Sequence, residues 1–389
     1  MHSVLSSPAR RLCPAVVIAA LAACSPSSPS PTLPLRTAVQ ARPVASVVVA
    51  PASARLGLLP AGRSLRLTAT LQNADKETVT GRRVTWASSD PSSVAVDETG
   101  VVRVLRPGRP VRITATAGGV TGAAMVTPDV YRNDFEDQAP GPLTVAALNA
   151  GWNRPFYSQG VQEGRVTVVG GDLAYGGGRS LRVAFPRGGV GPAAGGALWV
   201  LPLGGTYTDL YASYRVRFAP GFQFVLGGKL PGLAGGAGNT GGSRPTGRDG
   251  WSGRAMWSGN GRLLQYVYHP EQPNEFGQSL NWTVAGKAVT AIPGRWYHFE
   301  TRVVMNTPGR HDGVVQGWVD GVQVLDQRGM RFRDVDTWAI DAFHMTTFFG
   351  GSEASWAPVR DEFILFDDVV ISPERNSPLV SPNVPARRP

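Results

Sequence analysis

Five side chains between positions 229 and 268 carry most of the reactive chemistry in this sequence: Lys229 in GGKLPG, Ser252 and Arg254 in WSGRAMW, and Tyr266 and Tyr268 in QYVYH. Two cations, a hydroxyl and two phenols could serve β-elimination on a uronic acid polymer. In that reaction the C5 proton leaves while the bond to O4 breaks, and the proton is hardly acidic while the neighbouring carboxylate stays ionised. A guanidinium or ammonium set against the carboxylate stabilises the enolate-like intermediate. A tyrosine near such cations can have its phenol pKa lowered, and can then take the C5 proton or give one to the departing O4. Lysine is otherwise scarce, with only Lys76 and Lys287 beside Lys229, so an amine in the turn-like GGKLPG stands out.

The elements that must position these groups read as strands. Trp251 to Trp257 and Arg262 to His269 alternate with period two and are joined by Ser-Gly-Asn-Gly, a hairpin signal. Ser252, Arg254 and Met256 then share one face, and Tyr266 and Tyr268 share a face of the partner. A three-residue loop at Gly259, Asn260 and Gly261 sets Arg254 opposite Tyr266 and Ser252 opposite Tyr268; a two-residue loop puts those pairs on opposite faces. The same pattern also fits the ordinary wet face of an antiparallel sheet.

GGKLPGL, WSGRAMW and QYVYHP, with the later FFGG and FDDVVIS, resemble the alginate lyases of polysaccharide lyase family fourteen over roughly residues 133–372. The resemblance implies a concanavalin A-like jelly-roll β-sandwich that cleaves alginate or a related polyuronate. It also implies that Lys229, Ser252, Arg254, Tyr266 and Tyr268 are the active-site positions. Lys229 and Arg254 would neutralise the carboxylate, Tyr266 or Tyr268 would move protons, and Ser252 would orient one of them or the sugar. Gln265, Arg244 and Arg248 are further candidates for substrate contact. The two arginines sit in the glycine-rich stretch from Leu230 to Asp249, which is expected to loop beside the site.

Composition agrees with an all-β chain. Of 389 residues 48 are glycine and 32 proline, and the apolar runs between them are short and rich in Val, Thr and aromatics. The formal net charge of +10 attracts polyanions. These include nucleic acid, anionic lipid and acidic polysaccharide. No Lys/Arg-rich run, zinc-finger spacing or RNA-binding aromatic motif is present, which argues against nucleic acid, and the expected partner, an acidic polysaccharide, follows from the family resemblance. The two cysteines, Cys13 and Cys24, lie at the N-terminus, so the body of the chain has no thiolate nucleophile or disulfide.

In chain order, Arg10 and Arg11 precede a short apolar run that ends in Leu21-Ala22-Ala23-Cys24. This resembles a bacterial lipoprotein signal peptide over residues 1–23, with Cys24 as the lipidation site and an extracytoplasmic, membrane-anchored product. Residues 24–43 are a Ser/Pro-rich linker. Residues 44–128 contain about seven short strand patterns, and TWASSDPSSVAVDETGVV resembles the group 2 bacterial Ig-like domain, here read as a spacer with Trp86 in its core. Residues 130–374 form the larger sandwich, and 375–389 a disordered tail.

Elimination requires no organic cofactor. Asp134 and Glu136 at the start of the larger domain leave room for a structural calcium shared with Asp367 or Asp368, since first and last strands of a sandwich often lie together. His298, His311 and His344 are scattered, and His344 is the first alternative base should tyrosine not serve. A non-catalytic module or surface adhesin for acidic glycans is the rival reading, because the same sandwich serves both uses. A monomer is expected.

Overall fold

The computed structural model describes residues 43–376, which are almost entirely β. The signal-peptide reading, Cys24, most of the linker and most of the tail lie outside the described residues. The architecture is the expected one: an Ig-like sandwich followed by a larger jelly-roll sandwich. Each has its own core, Val47, Val94, Val102, Ile113 and Val126 in the first, and Trp199, Trp257, Phe185, Phe299 and Ile364 among others in the second.

The site-bearing sheet of the larger sandwich has seven strands. Their spatial order is Phe156–Gln159, Ala197–Tyr207, Ile340–Phe349, Gly227–Gly236, Gly250–Ser258, Leu263–Tyr268 and Gln278–Asn281, antiparallel throughout. The alternation in the sequence explains how it packs. Trp251, Ala255 and Trp257 point into the core, where Trp257 meets Phe349 edge-on at 5.4 Å, while Ser252, Arg254 and Met256 occupy the other face.

Lys229 does not lie in a turn. GGKLPGLAGG is a central strand hydrogen-bonded on both sides, and glycine is there because its neighbours come too close for side chains. A Cβ at Gly228 would lie 2.0 Å from the Trp257 ring, and one at Gly232 2.1 Å from the Gly253 carbonyl oxygen. The loop is therefore confined to residues 237–249.

The expected boundary near residues 128–130 falls inside one strand, Val120–Asn133. Its first part pairs with the Ig-like domain and its last residues with Glu362–Ser372, so first and last strands of the larger sandwich do lie together. Ser53–Leu59, absent from the sequence reading, runs parallel to it and contributes Leu59 to the larger core. At this seam Arg55 donates to both oxygens of the fully buried Asp129, at 2.6 and 3.1 Å, and to Ser372 Oγ at 3.0 Å.

Candidate active site

The hairpin has the three-residue connection. Residues Gly259–Gly261 turn the chain, with Asn260 at φ 61° and Gly261 at φ 73°, and Ser258 N–H donates to the Arg262 carbonyl at 2.8 Å. Arg254 is consequently opposite Tyr266, and Ser252 opposite Tyr268.

A bulge brings Lys229 to the same face. Along the lysine strand Lys229 pairs with Met256 and Gly232 with Arg254, so three steps on one strand match two on the other. Without that extra residue Lys229 would face the core. Pro231 sits within the bulge, where a missing N–H is tolerated, and its carbonyl accepts the Tyr214 hydroxyl from the opposite sheet at 3.2 Å.

The resulting row across the sheet reads His344, Gly232, Arg254, Tyr266, Ser279. Arg254 is 3% exposed and has no carboxylate partner among the described residues; its Nε hydrogen bond is unmade. Burial lowers its pKa to about 10, against the favourable pull of the two phenols. Lys229 is half-buried: its Nζ donates to Met256 Sδ at 3.3 Å and stands 4.5 Å from the Tyr266 ring centroid. A thioether and an aromatic face replace water poorly, and burial followed by repulsion from Arg254 lowers the amine to about 7.

The tyrosines meet edge to face at 5.6 Å. Burial pushes the Tyr266 phenol upward, and the neighbouring Tyr268 phenol adds to the shift. Tyr268 is 1% exposed and its hydroxyl accepts the Gly242 N–H at 3.1 Å. Ser252, also buried, donates to the Asn239 carbonyl at 2.6 Å. Both contacts fasten the glycine-rich loop over this end of the site, so the hydroxyl of Ser252 holds a wall of the site.

The other candidates diverge. Gln265 projects into the core side of the sheet, opposite Ala255, and is fully buried, so it is not a substrate contact: strand neighbours alternate, and Tyr266 takes the site face. Arg244 is exposed in the loop and donates to the Pro270 carbonyl at 3.1 and 3.3 Å. Arg248 is exposed as well, near Asp334, whose carboxyl is held below the usual range chiefly by the hydrogen bond from Arg331 and further by the Arg248 charge. His344, which the sequence reading ranked behind the tyrosines, stands in the site row; burial and then Arg254 lower its pKa to about 3, so it is neutral. Thr346 lies two residues along on the same face, with its hydroxyl unpartnered. Period-two alternation in AFHMTTFF was the available signal for both.

Three of the carboxylates considered for calcium have partners of their own. Asp134 faces Arg63 and Arg132, Asp368 is paired with Arg215 at 2.9 Å and with Arg132 at 3.5 Å, and Glu136 accepts the Arg179 backbone N–H. No cluster of three or more metal-ligating side chains occurs among the described residues.

Comparison with known families decides the class. Residues 174–369 match the family model Polysaccharide lyase 14, and residues 43–127 match the bacterial Ig-like domain (group 2). The chain belongs to polysaccharide lyase family 14. This lyase is similar to the solved alginate lyase Aly36B, at 26% identity and a TM-score of 0.54 over 62% of this chain and 96% of that one. A double mutant of that protein, solved in complex with alginate trisaccharide, aligns at 25% identity and TM-score 0.54 over 63% of this chain and 98% of that one. The marine PL-14 alginate lyase from Aplysia kurodai shares the fold, at 24% identity and TM-score 0.53, over 62% of this chain and 98% of its own. Comparison with curated proteins found no match. The protein is thus a polysaccharide lyase, a carbon–oxygen lyase, with an Ig-like domain joined to its N-terminal side.

Proposed function

We propose that this lyase cleaves alginate or a related polyuronate by β-elimination, at the face formed by Lys229, Arg254, Tyr266 and Tyr268. The observation that carries the reading is the buried guanidinium of Arg254, which has no carboxylate of its own. A cation in that state costs stability unless an anion completes it, and a hexuronate carboxylate is an anion of the right size and geometry. The relative Aly36B, solved as mutants in complex with alginate tri- and tetrasaccharide, supports the same substrate class.

The two cations take different parts. Arg254 keeps its charge throughout the neutral range and binds the carboxylate. Lys229, poised at about 7, is neutral often enough to accept the C5 proton. As that C–H bond breaks, its electron pair forms the C4–C5 double bond and the C4–O4 bond breaks. The departing O4 takes a proton from the Lys229 ammonium or from Tyr266, whose phenol burial keeps protonated. Tyr268 fixes Tyr266 and the loop backbone. No organic cofactor enters the sequence of steps, and we place the active form as a monomer.

The test is incubation with alginate, glucuronan and glycosaminoglycans, following the ultraviolet absorbance of the unsaturated uronate. Absorbance growth on one of these supports the reading; none on any of them, with binding retained, returns the site to the glycan-binding class. The same proposal places the enzyme outside the cytoplasm on a lipid anchor at Cys24. Cys24→Ser should then abolish fatty-acid labelling and membrane retention, and unchanged fractionation would refute the anchor.

A further inference from the structure

We propose that Arg154 and Phe156, at the outer edge of the site-bearing sheet, form a distal subsite for a hexuronate unit of the bound chain. The inference rests on the polyuronate reading above and extends it to a part of the fold that the five site residues do not reach.

Phe156 pairs with Val200, Val200 with His344, His344 with Gly232, and Gly232 with Arg254. Cross-strand partners point to the same side, so Phe156 lies on the face that carries Arg254 and Tyr266. Four strand spacings separate it from Arg254, roughly 19 Å, which is about the span of four hexuronate units laid across the strands. The floor between them is uncovered at its outer end, where Leu198 and Val200 are half-buried.

At this edge two consecutive large side chains are exposed to solvent, Phe156 at 63% and Tyr157 at 67%. Arg154, two residues earlier, is exposed, and no carboxylate among the described residues pairs with it. An aromatic face fits the C–H face of a sugar ring, and a free guanidinium fits its carboxylate. A neutral glycan would make no use of the cation, and the net charge of +10 favours the anionic chain.

The segment is held in place. Asn153, Arg154 and Tyr157 all have φ between 52° and 66°, a region that costs a non-glycine residue about 1 kcal/mol or more unless its surroundings impose it. The surroundings do: Asn153 Nδ2 donates to the Pro202 carbonyl at 3.1 Å, Arg154 N–H donates to the Asn149 carbonyl at 2.9 Å, and Pro155 fixes its own φ. Beneath them Trp152 is fully buried and packs edge-on against Trp199 at 5.1 Å. A binding surface fixed in advance loses little entropy when the chain arrives.

The experiment compares kcat/KM on alginate polymer with kcat/KM on an alginate trisaccharide, which is too short to reach the edge from the cut bond. In Phe156→Ala and Arg154→Ala the polymer-to-trisaccharide ratio should fall about five- to tenfold below wild type. An unchanged ratio, including the case of equal loss on both substrates, overturns the proposal. If wild type cleaves no polyuronate, the reading of the catalytic site fails, and mobility in native gels containing alginate decides the subsite alone. Retardation of wild type that is weakened in both variants supports it, and equal retardation overturns it. Concentration-dependent dimerisation that Phe156→Ala abolishes would assign the edge to a second copy and also overturn it.

Discussion

Lys229 Nζ stands 4.5 Å from the ring centroid of Tyr266, with Met256 Sδ as its hydrogen-bond acceptor and no carboxylate in contact. This setting makes the lysine a titrating group at neutral pH. As a base it acts in its neutral form, so kcat/KM should rise as pH climbs through about 7 and fall again toward about 10, where Arg254 begins to lose its charge. Lys229→Arg separates charge from proton transfer. It preserves the cation and removes the titration, and should lower kcat by about two orders of magnitude or more. A variant that keeps most of its kcat and the rising limb would show that the lysine serves only as a charge.

Arg254 should be a residue that the fold would be better without. Its pKa is lowered from 12.5 to about 10, which corresponds to roughly 3 kcal/mol against the charged form in the folded state. Arg254→Met keeps much of the side-chain volume and removes the uncompensated charge. It should raise the melting temperature at pH 7 while reducing kcat/KM on polyuronate a hundredfold or more. A melting temperature that falls would mean that the guanidinium has folded-state partners strong enough to offset its burial.

Much of this site could be read before folding. Period-two alternation fixed the facing of Ser252, Arg254, Tyr266 and Tyr268, and Gly-Asn-Gly offered the connection that aligns them. Two features were not legible, for a common reason. The bulge that turns Lys229 toward Arg254 depends on pairing with two other strands at once, and GGKLPGLAGG looks like a loop until the Trp257 ring and the Gly253 and Ala339 carbonyls explain its glycines. His344 joins the row through the Gly232 pairing, a contact between segments more than a hundred residues apart. Gln265 failed by the opposite route: its polar type suggested a contact, although its own parity placed it on the core side. The strand Ser53–Leu59 was not legible because it lacks a clear alternating pattern; its burial is spread along the strand where it meets Val120–Asn133.

Ser252 is expected to act through the loop. Its hydroxyl donates to the Asn239 carbonyl, and Gly242 three residues on donates to Tyr268. Ser252→Ala removes one fastening and leaves a buried carbonyl short of a partner, a cost of about 1–3 kcal/mol. The loop should loosen, seen as faster amide exchange over residues 237–249, with kcat/KM falling about tenfold. Ser252→Thr, which restores the donor, should recover part of both. Activity lost without any change in exchange would instead put the hydroxyl on the substrate.

Asp367 supplies a stability switch away from the site. Its carboxyl is buried, accepts the Ser180 hydroxyl at 2.6 Å and the Asp368 N–H at 2.7 Å, and lies near the charges of Asp368 and Glu136. Burial foremost, with those neighbouring charges, raises its pKa to about 8, while in the unfolded chain it titrates near 4. A folded-state pKa above the unfolded one gives a contribution that is complete below about pH 4 and is lost as pH rises through about 8. Asp367→Asn abolishes that titration. Its melting temperature relative to wild type should therefore climb by a few degrees between pH 5 and pH 9. A difference that stays constant across that interval would show that the carboxylate is already ionised in the folded enzyme at pH 5.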